Sequence, residues 1–206
     1  DQKNLIIQAA HLLQRQTGST LGARIVLDKH IPISGGLGGG SSDAAVTLLG
    51  LRRLWELELD DQKLLEMAAV LGSDVPFFIR GGTALGSGRG EELLALPTPK
   101  DLWVVILASL DKPSDHKTAT LYGLLNRSHY SVNGDHSETV ARLLCSGEPL
   151  GGSLFNVFDE IGERAFPSLN LSKKAMLGSG VTEVHIAGSG PSLFSLVSGQ
   201  ASAQLI

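Results

Sequence analysis

Apolar residues recur at helical spacing near the start of the chain, at Leu5, Ala9, Leu12 and Leu13, and predict an opening helix. A second stripe, Ala45, Leu48, Leu49 and Trp55, predicts a helix over 44–55. A third, Leu64, Leu65, Ala68 and Leu71, predicts another that Asp60 or Asp61 caps and Gly72 stops. Between the first two helices, Arg24-Ile25-Val26-Leu27 predicts a strand over 23–28. Pro76 disfavours helical geometry at Val75, so 72–76 reads as a loop, followed by short strands around 77–79, 83–85 and 92–96. Two prolines in Pro97-Thr98-Pro99-Lys100 break both kinds of element and mark the best internal boundary. Beyond it, Leu102 to Leu107 is a strongly apolar strand. Helices are predicted over 116–125, 137–145, 154–164 and 172–177, and strands over 184–187 and 192–197, on either side of a tight turn at Gly188-Ser189-Gly190. Residues 201–206 read as the first turns of another helix. Strands and helices alternate irregularly in both halves, which predicts an α+β fold.

Composition narrows the class. The 206 residues suffice for one or two domains, and 42% hydrophobic with 18% charged residues excludes disorder as the main state. The 17 basic residues are scattered among 21 acidic ones, a balance without the clustered Lys and Arg of a nucleic-acid partner. Cys145 is the one cysteine, which excludes a disulfide framework or cysteine-based zinc site and suits a reducing cytoplasm. No stretch has the roughly 18 consecutive apolar residues of a membrane span. The six histidines show no His-Glu-x-x-His pairing. His11 reads as a boundary residue, His185 as structural, and Trp55 and Trp103 as core.

Glycine is the outlier, at 25 of 206 residues against a usual share of about 7%. Five of them fall in six positions in Pro32, Ile33, Ser34, Gly35, Gly36, Leu37, Gly38, Gly39, Gly40, Ser41 and Ser42, directly before a helix. Residues without Cβ let successive N–H groups form a nest, and the helix start adds its own unsatisfied amides and the positive end of its dipole. The expected ligand is a phosphate. A Walker A loop is excluded because no lysine follows Gly40, and the dinucleotide fingerprint fails at Ser41. The competing reading is a glycine-rich turn without a ligand. Asp43 fits plain stabilisation of the helix start better than a metal ligand. Asp74, flanked by Val75-Pro76-Phe77-Phe78, is either a turn residue or a carboxylate tuned by partial desolvation to act as a general base.

Three segments in order, PISGGLGGGSSDAA from Pro32, LGSDVPFF from Leu71 and AGSGPSLF from Ala187, resemble the superfamily of galactokinase, homoserine kinase, mevalonate kinase and phosphomevalonate kinase (GHMP kinases). Gly88-Arg89-Gly90-Glu91, Lys29-x-Ile31-Pro32 and Asn156-x-Phe158-Asp159-Glu160 are similar to its branch acting on a cytidine-diphosphate sugar alcohol. The resemblance implies a two-domain fold: an ATP-binding domain like ribosomal protein S5 domain 2 over 1–97, and a ferredoxin-like domain over 98–206. It implies ATP with Mg²⁺, phosphorylation of the 2-hydroxyl of a cytidine-diphosphate methylerythritol on the methylerythritol phosphate route to isoprenoids, and a cytoplasmic enzyme. By position, Pro32 to Ser42 with Gly188, Ser189 and Gly190 would hold ATP, and Asp74 would be the catalytic base. Thr118 and Tyr122 would meet the substrate. The family begins with a strand carrying a catalytic lysine, which does not precede Asp1. The chain is therefore expected to be a piece of a longer protein, incomplete at the start of the first domain and the end of the second. Another small-molecule kinase of the superfamily, or a nucleotide-binding module without catalysis, are the alternatives.

Overall fold

A computed structural model describes residues 2–109, 117–131 and 134–206. Two compact units emerge: 1–30 with 38–96, and 31–37 with 97–206.

In the first unit, α1 (Leu5–Thr17) starts where the Asn4 side chain accepts the Ile6 N–H at 2.9 Å, and ends at Gly18 with φ +69°. Helix α2 (Gly39–Leu54) begins inside the glycine cluster, earlier than the apolar stripe indicates. Helix α3 (Asp61–Leu71) is capped by Asp60, whose carboxylate accepts the Lys63 N–H at 2.6 Å. The stripes of these helices face one another. Ala9, Leu12 and Leu13 meet Ala44, Ala45 and Leu48, with Leu64, Met67 and Ala68 closing the core. Trp55 is buried among them and donates its indole N–H to the Gly22 carbonyl. A hairpin of β1 (Thr83–Ser87) and β2 (Glu92–Leu96) pairs Thr83 with Leu96 and Ser87 with Glu92.

Two expectations fail in this unit. Residues 75–80 form a helix, α4 (Val75–Arg80), rather than a loop and strand. Proline suits the first turn of a helix, where its missing N–H has no intrahelical partner, and buried Val75 and Pro76 anchor that turn. The bias on the residue before proline yields to this packing. Residues 23–28 form no strand, and Ile25, Val26 and Leu27 are exposed. A strand exists only through a ladder, and no described residue pairs with this segment.

The second unit contains an antiparallel sheet in the order β3 (Leu102–Leu107), β5 (Leu193–Ser198), β4 (His185–Ile186). Leu107 pairs with Leu193, and Ile186 pairs with the same residue from the other side. Helices α5 (Lys117–Leu124), α6 (Asp135–Ser146), α7 (Gly162–Ala165), α8 (Leu169–Gly178) and α9 (Gln200–Leu205) accompany it. Its core gathers Leu121, Phe158, Ile161, Phe166, Leu169, Met176, Ile186 and Leu193. Gly162 lets α7 press onto β4, since a Cβ there would lie 2.2 Å from Ile186 Cδ1. The helix expected over 154–164 is reduced to turns followed by α7, because Asn156 bonds sideways to other main-chain groups instead of up a helix. Trp103 is exposed on β3 rather than part of the core. His116, at the edge of the helix expected over 116–125, lies outside the described residues.

The helical core makes a direct stability test. Leu48 is fully buried whereas Val46, two positions earlier on α2, is 65% exposed. Leu48→Ala is expected to cost about 2–5 kcal/mol through lost burial and a residual cavity. Val46→Ala should stay within about 0.5 kcal/mol of the parent, both read from urea unfolding.

Candidate functional site

The glycine loop passes from the second unit to the first between Leu37 and Gly38. In the first unit, Gly38 has φ +67°, and a Cβ there would come 2.5 Å from Phe78 Cζ. Only glycine lets α4 pack this tightly against the start of α2. The N–H groups of Gly38, Gly39, Gly40 and Ser41 meet no acceptor among the described residues; the first to do so is Ser42, which donates to the Gly38 carbonyl at 2.9 Å. The Ser42 hydroxyl donates to the Gly39 carbonyl at 2.8 Å. Asp43 accepts from Lys29 Nζ at 2.5 Å, both side chains about four-fifths buried. Because α2 begins at Gly39, Asp43 falls in its second turn and does not stabilise the helix start as expected. Its carboxylate is instead neutralised by Lys29.

Asp74 stands at the N-terminus of α4. Its carboxylate is exposed and has no hydrogen-bond partner among the described residues, so the expected partial desolvation is not realised. The apolar neighbours Val75 and Pro76 turn into the core, leaving Asp74 in solvent. The turn Gly88-Arg89-Gly90-Glu91 approaches the same loop, with a Cβ at Gly90 falling 4.0 Å from Ser73 Cβ.

In the second unit, the other half of the loop lies against the turn after β4. A Cβ at Gly36, where φ is +81°, would stand 2.0 Å from the Ala187 carbonyl oxygen. Ser192 N–H donates to the Gly35 carbonyl at 3.1 Å, and Gly190 N–H closes its turn onto the Ala187 carbonyl at 2.8 Å. Amides of Gly36, Leu37, Gly188 and Ser189 have no acceptor among the described residues. Thr118 Oγ1 lies 3.2 Å from Ser189 Oγ. One turn along α5, Tyr122 is half exposed and sets its ring edge-on to Phe158, centroids 5.2 Å apart. Of the expected site residues, the structure thus brings Ser34 to Leu37 together with Gly188 to Gly190 and Thr118. Separately, Gly38 to Ser42 and Asp74 start two packed helices. Pro32 and Ile33 are exposed at the loop's entrance.

Two side chains outside the sequence expectation support this turn. Lys117 Nζ donates to the carbonyls of Ser34 and Gly190, the first at 2.8 Å. Asn156 Nδ2 donates to the carbonyls of Ile186 and Gly188 at 2.7 and 2.8 Å. Asn156 stands within a quoted motif, but nothing in the spacing reveals its partners. Asp159 accepts the Ile186 N–H at 2.8 Å and binds His185 Nδ1 at 2.7 Å, while Glu183 lies 3.6 Å from His185 Nε2. The Asp159 hydrogen bond raises the His185 pKa, with burial opposing it and Glu183 adding to it.

A family profile described as GHMP kinases N terminal domain matches residues 4–82. The chain is 40% identical over 195 residues to a 4-diphosphocytidyl-2-C-methyl-D-erythritol kinase of Dehalococcoides mccartyi, covering 94% of this chain and 68% of the relative. It is 38% identical over 206 residues to the protein of the same name in Bacillus pumilus, covering all of this chain and 70% of the relative. A crystal structure of 4-(cytidine 5'-diphospho)-2C-methyl-D-erythritol kinase superposes with a TM-score of 0.81 at 35% identity, over 98% of this chain and 72% of the other. A homoserine kinase from Cytophaga hutchinsonii reaches the same TM-score at 21% identity, over 100% of this chain and 70% of the other, which is a likeness of fold.

The His185 cluster predicts a pH dependence of stability. A histidine with a raised folded pKa contributes stability that is fully present below its unfolded value, about 6.5, and is lost as pH rises through the folded value. The free energy of unfolding should therefore decline above about pH 6.5, and His185→Gln should remove that part of the slope. Urea titrations of both proteins between pH 6 and 8 check it.

Proposed function

Because the chain belongs to the 4-diphosphocytidyl-2-C-methyl-D-erythritol kinases, a branch of the GHMP kinases, we propose that it transfers the γ-phosphoryl group of ATP to the 2-hydroxyl of 4-diphosphocytidyl-2-C-methyl-D-erythritol. The observation that carries this reading is the run of backbone amides from Gly38 to Ser41 at the start of α2, which meet no acceptor among the described residues. Such a run is a site for phosphate oxygens, held by N–H donors and the helix dipole.

Phosphoryl transfer asks a protein mainly to position the reactants and stabilise charge. Gly38 to Ser41 supply donors at the helix start, and the Lys29–Asp43 pair keeps that end free of net negative charge. The substrate hydroxyl oxygen forms a bond to the γ-phosphorus as the bond to the β,γ-bridging oxygen breaks and ADP leaves. Asp74 takes the hydroxyl proton. Its exposed, unpartnered carboxylate on α4, the helix packed against α2, supports that role. Among the described residues no group of three His, Cys, Asp or Glu side chains could hold a metal. Mg²⁺, which would accompany the nucleotide in this reading, would supply charge neutralisation. Thr118 and Tyr122 serve the substrate side, the tyrosine ring being suited to stacking on cytosine. Among the described residues no helix is long and apolar enough to cross a membrane, and a cytoplasmic setting belongs to this proposal.

Two measurements test it. Asp74→Asn should lower kcat by about 10²- to 10⁴-fold while ATP affinity stays near that of the parent; near-normal turnover would remove Asp74 from the mechanism. Across an acceptor panel, phosphorylated product should form only with the cytidine-bearing substrate. Product from homoserine or mevalonate would point to another branch, and ATP binding without any product would favour a binding module.

A further inference from the structure

Lys117 belongs to none of the sequence motifs, yet it is nine-tenths buried at the first residue of α5. A lysine this deep is normally paired with a carboxylate, because an uncompensated buried charge is costly. Among the described residues no carboxylate lies within ion-pair distance of it. Its recorded partners are two main-chain carbonyls, of Ser34 and Gly190, which lie 83 and 73 residues away in sequence. One carbonyl belongs to the glycine loop and the other to the turn after β4. These are the two segments whose amides at Gly36, Leu37, Gly188 and Ser189 lack acceptors among the described residues. They already meet through the Ser192 N–H bond to the Gly35 carbonyl, so Lys117 is not needed merely to join them.

We propose that Lys117 is a positioning residue for nucleotide binding: its ammonium fixes the Ser34 and Gly190 carbonyls, and thereby aims the unpartnered amides of both turns at the phosphates of ATP. The proposal rests on the kinase reading above. It fits a cation whose proton affinity burial alone lowers and which has no carboxylate partner among the described residues, since a bound phosphate would supply counter-charge. It also accounts for the neighbouring contact, in which Thr118, the next residue, holds the Ser189 hydroxyl of the same turn. The two residues at the start of α5 thus grip the Gly188–Gly190 turn by its backbone and by its side chain.

The test compares the parent with Lys117→Met, which keeps the apolar stem, and Lys117→Arg, which keeps the charge and donors. ATP and the cytidine-diphosphate acceptor are titrated calorimetrically, and the melting temperature is read on the same preparations. Lys117→Met should weaken ATP by about ten- to a hundredfold, the range of a charge-assisted hydrogen bond. Affinity for the acceptor should change less than twofold, and Lys117→Arg should recover most of the ATP affinity. A folded Lys117→Met that binds ATP like the parent would overturn the proposal, as would equal losses for ATP and acceptor. Should Lys117→Met not fold, Lys117→Gln carries the same comparison, and failure of both to fold would identify a purely structural clasp and overturn it as well. A parent chain that binds no ATP would instead bring down the kinase reading itself, before any variant is compared.

Discussion

A Cβ on Gly36 would stand 2.0 Å from the Ala187 carbonyl oxygen, so the approach of the glycine loop to the turn after β4 exists only while that position has no side chain. Everything else in this half of the site depends on it. With the two backbones in contact, Ser192 can donate to Gly35, and one ammonium can reach carbonyls on both. This packing engages the carbonyls of Ser34, Gly35, Ala187 and Gly190, while the amides of Gly36, Leu37, Gly188 and Ser189 meet no acceptor among the described residues. That surplus of donors is what the proposed phosphate site rests on.

Much of this was legible in the chain. The stripes of α1, α2 and α3 are regular because each helix buries one face in a common core, and the periodicity records that burial directly. The glycine density around Gly36 and Gly38 was legible for a similar reason: a positive φ with an atom less than 3 Å from the Cβ position admits no other residue. Where the local rule competes with packing, the sequence misleads. Pro76 disfavours helix at Val75, yet burial of both residues makes them the first turn of α4. Residues 23–28 carry the composition of a strand, but strand formation is decided by a partner that no local pattern contains.

Lys117 and Asn156 illustrate a different kind of illegibility. Both act on main-chain carbonyls, which every residue possesses, so no partner motif marks them in advance. Glycine signals where backbone must come close; what clasps that backbone afterwards is visible only in three dimensions. The same scaffold also serves kinases with other acceptors, so the choice of acceptor cannot reside in the shared backbone. It falls to side chains, among which the proposal places Thr118 and Tyr122 on α5.

The Lys29–Asp43 pair has a consequence for how a nucleotide arrives. Lysine and aspartate cancel one turn into α2, so what the start of that helix offers an incoming anion is a set of amide dipoles. Dipoles act over hydrogen-bond distances, well inside the screening length of about 8 Å at physiological ionic strength. The chain as a whole carries a net charge of −4, which offers an anion no long-range attraction. If the loop holds a nucleotide as proposed, capture is a contact event, with retention set by the fit of phosphate oxygens to fixed N–H groups.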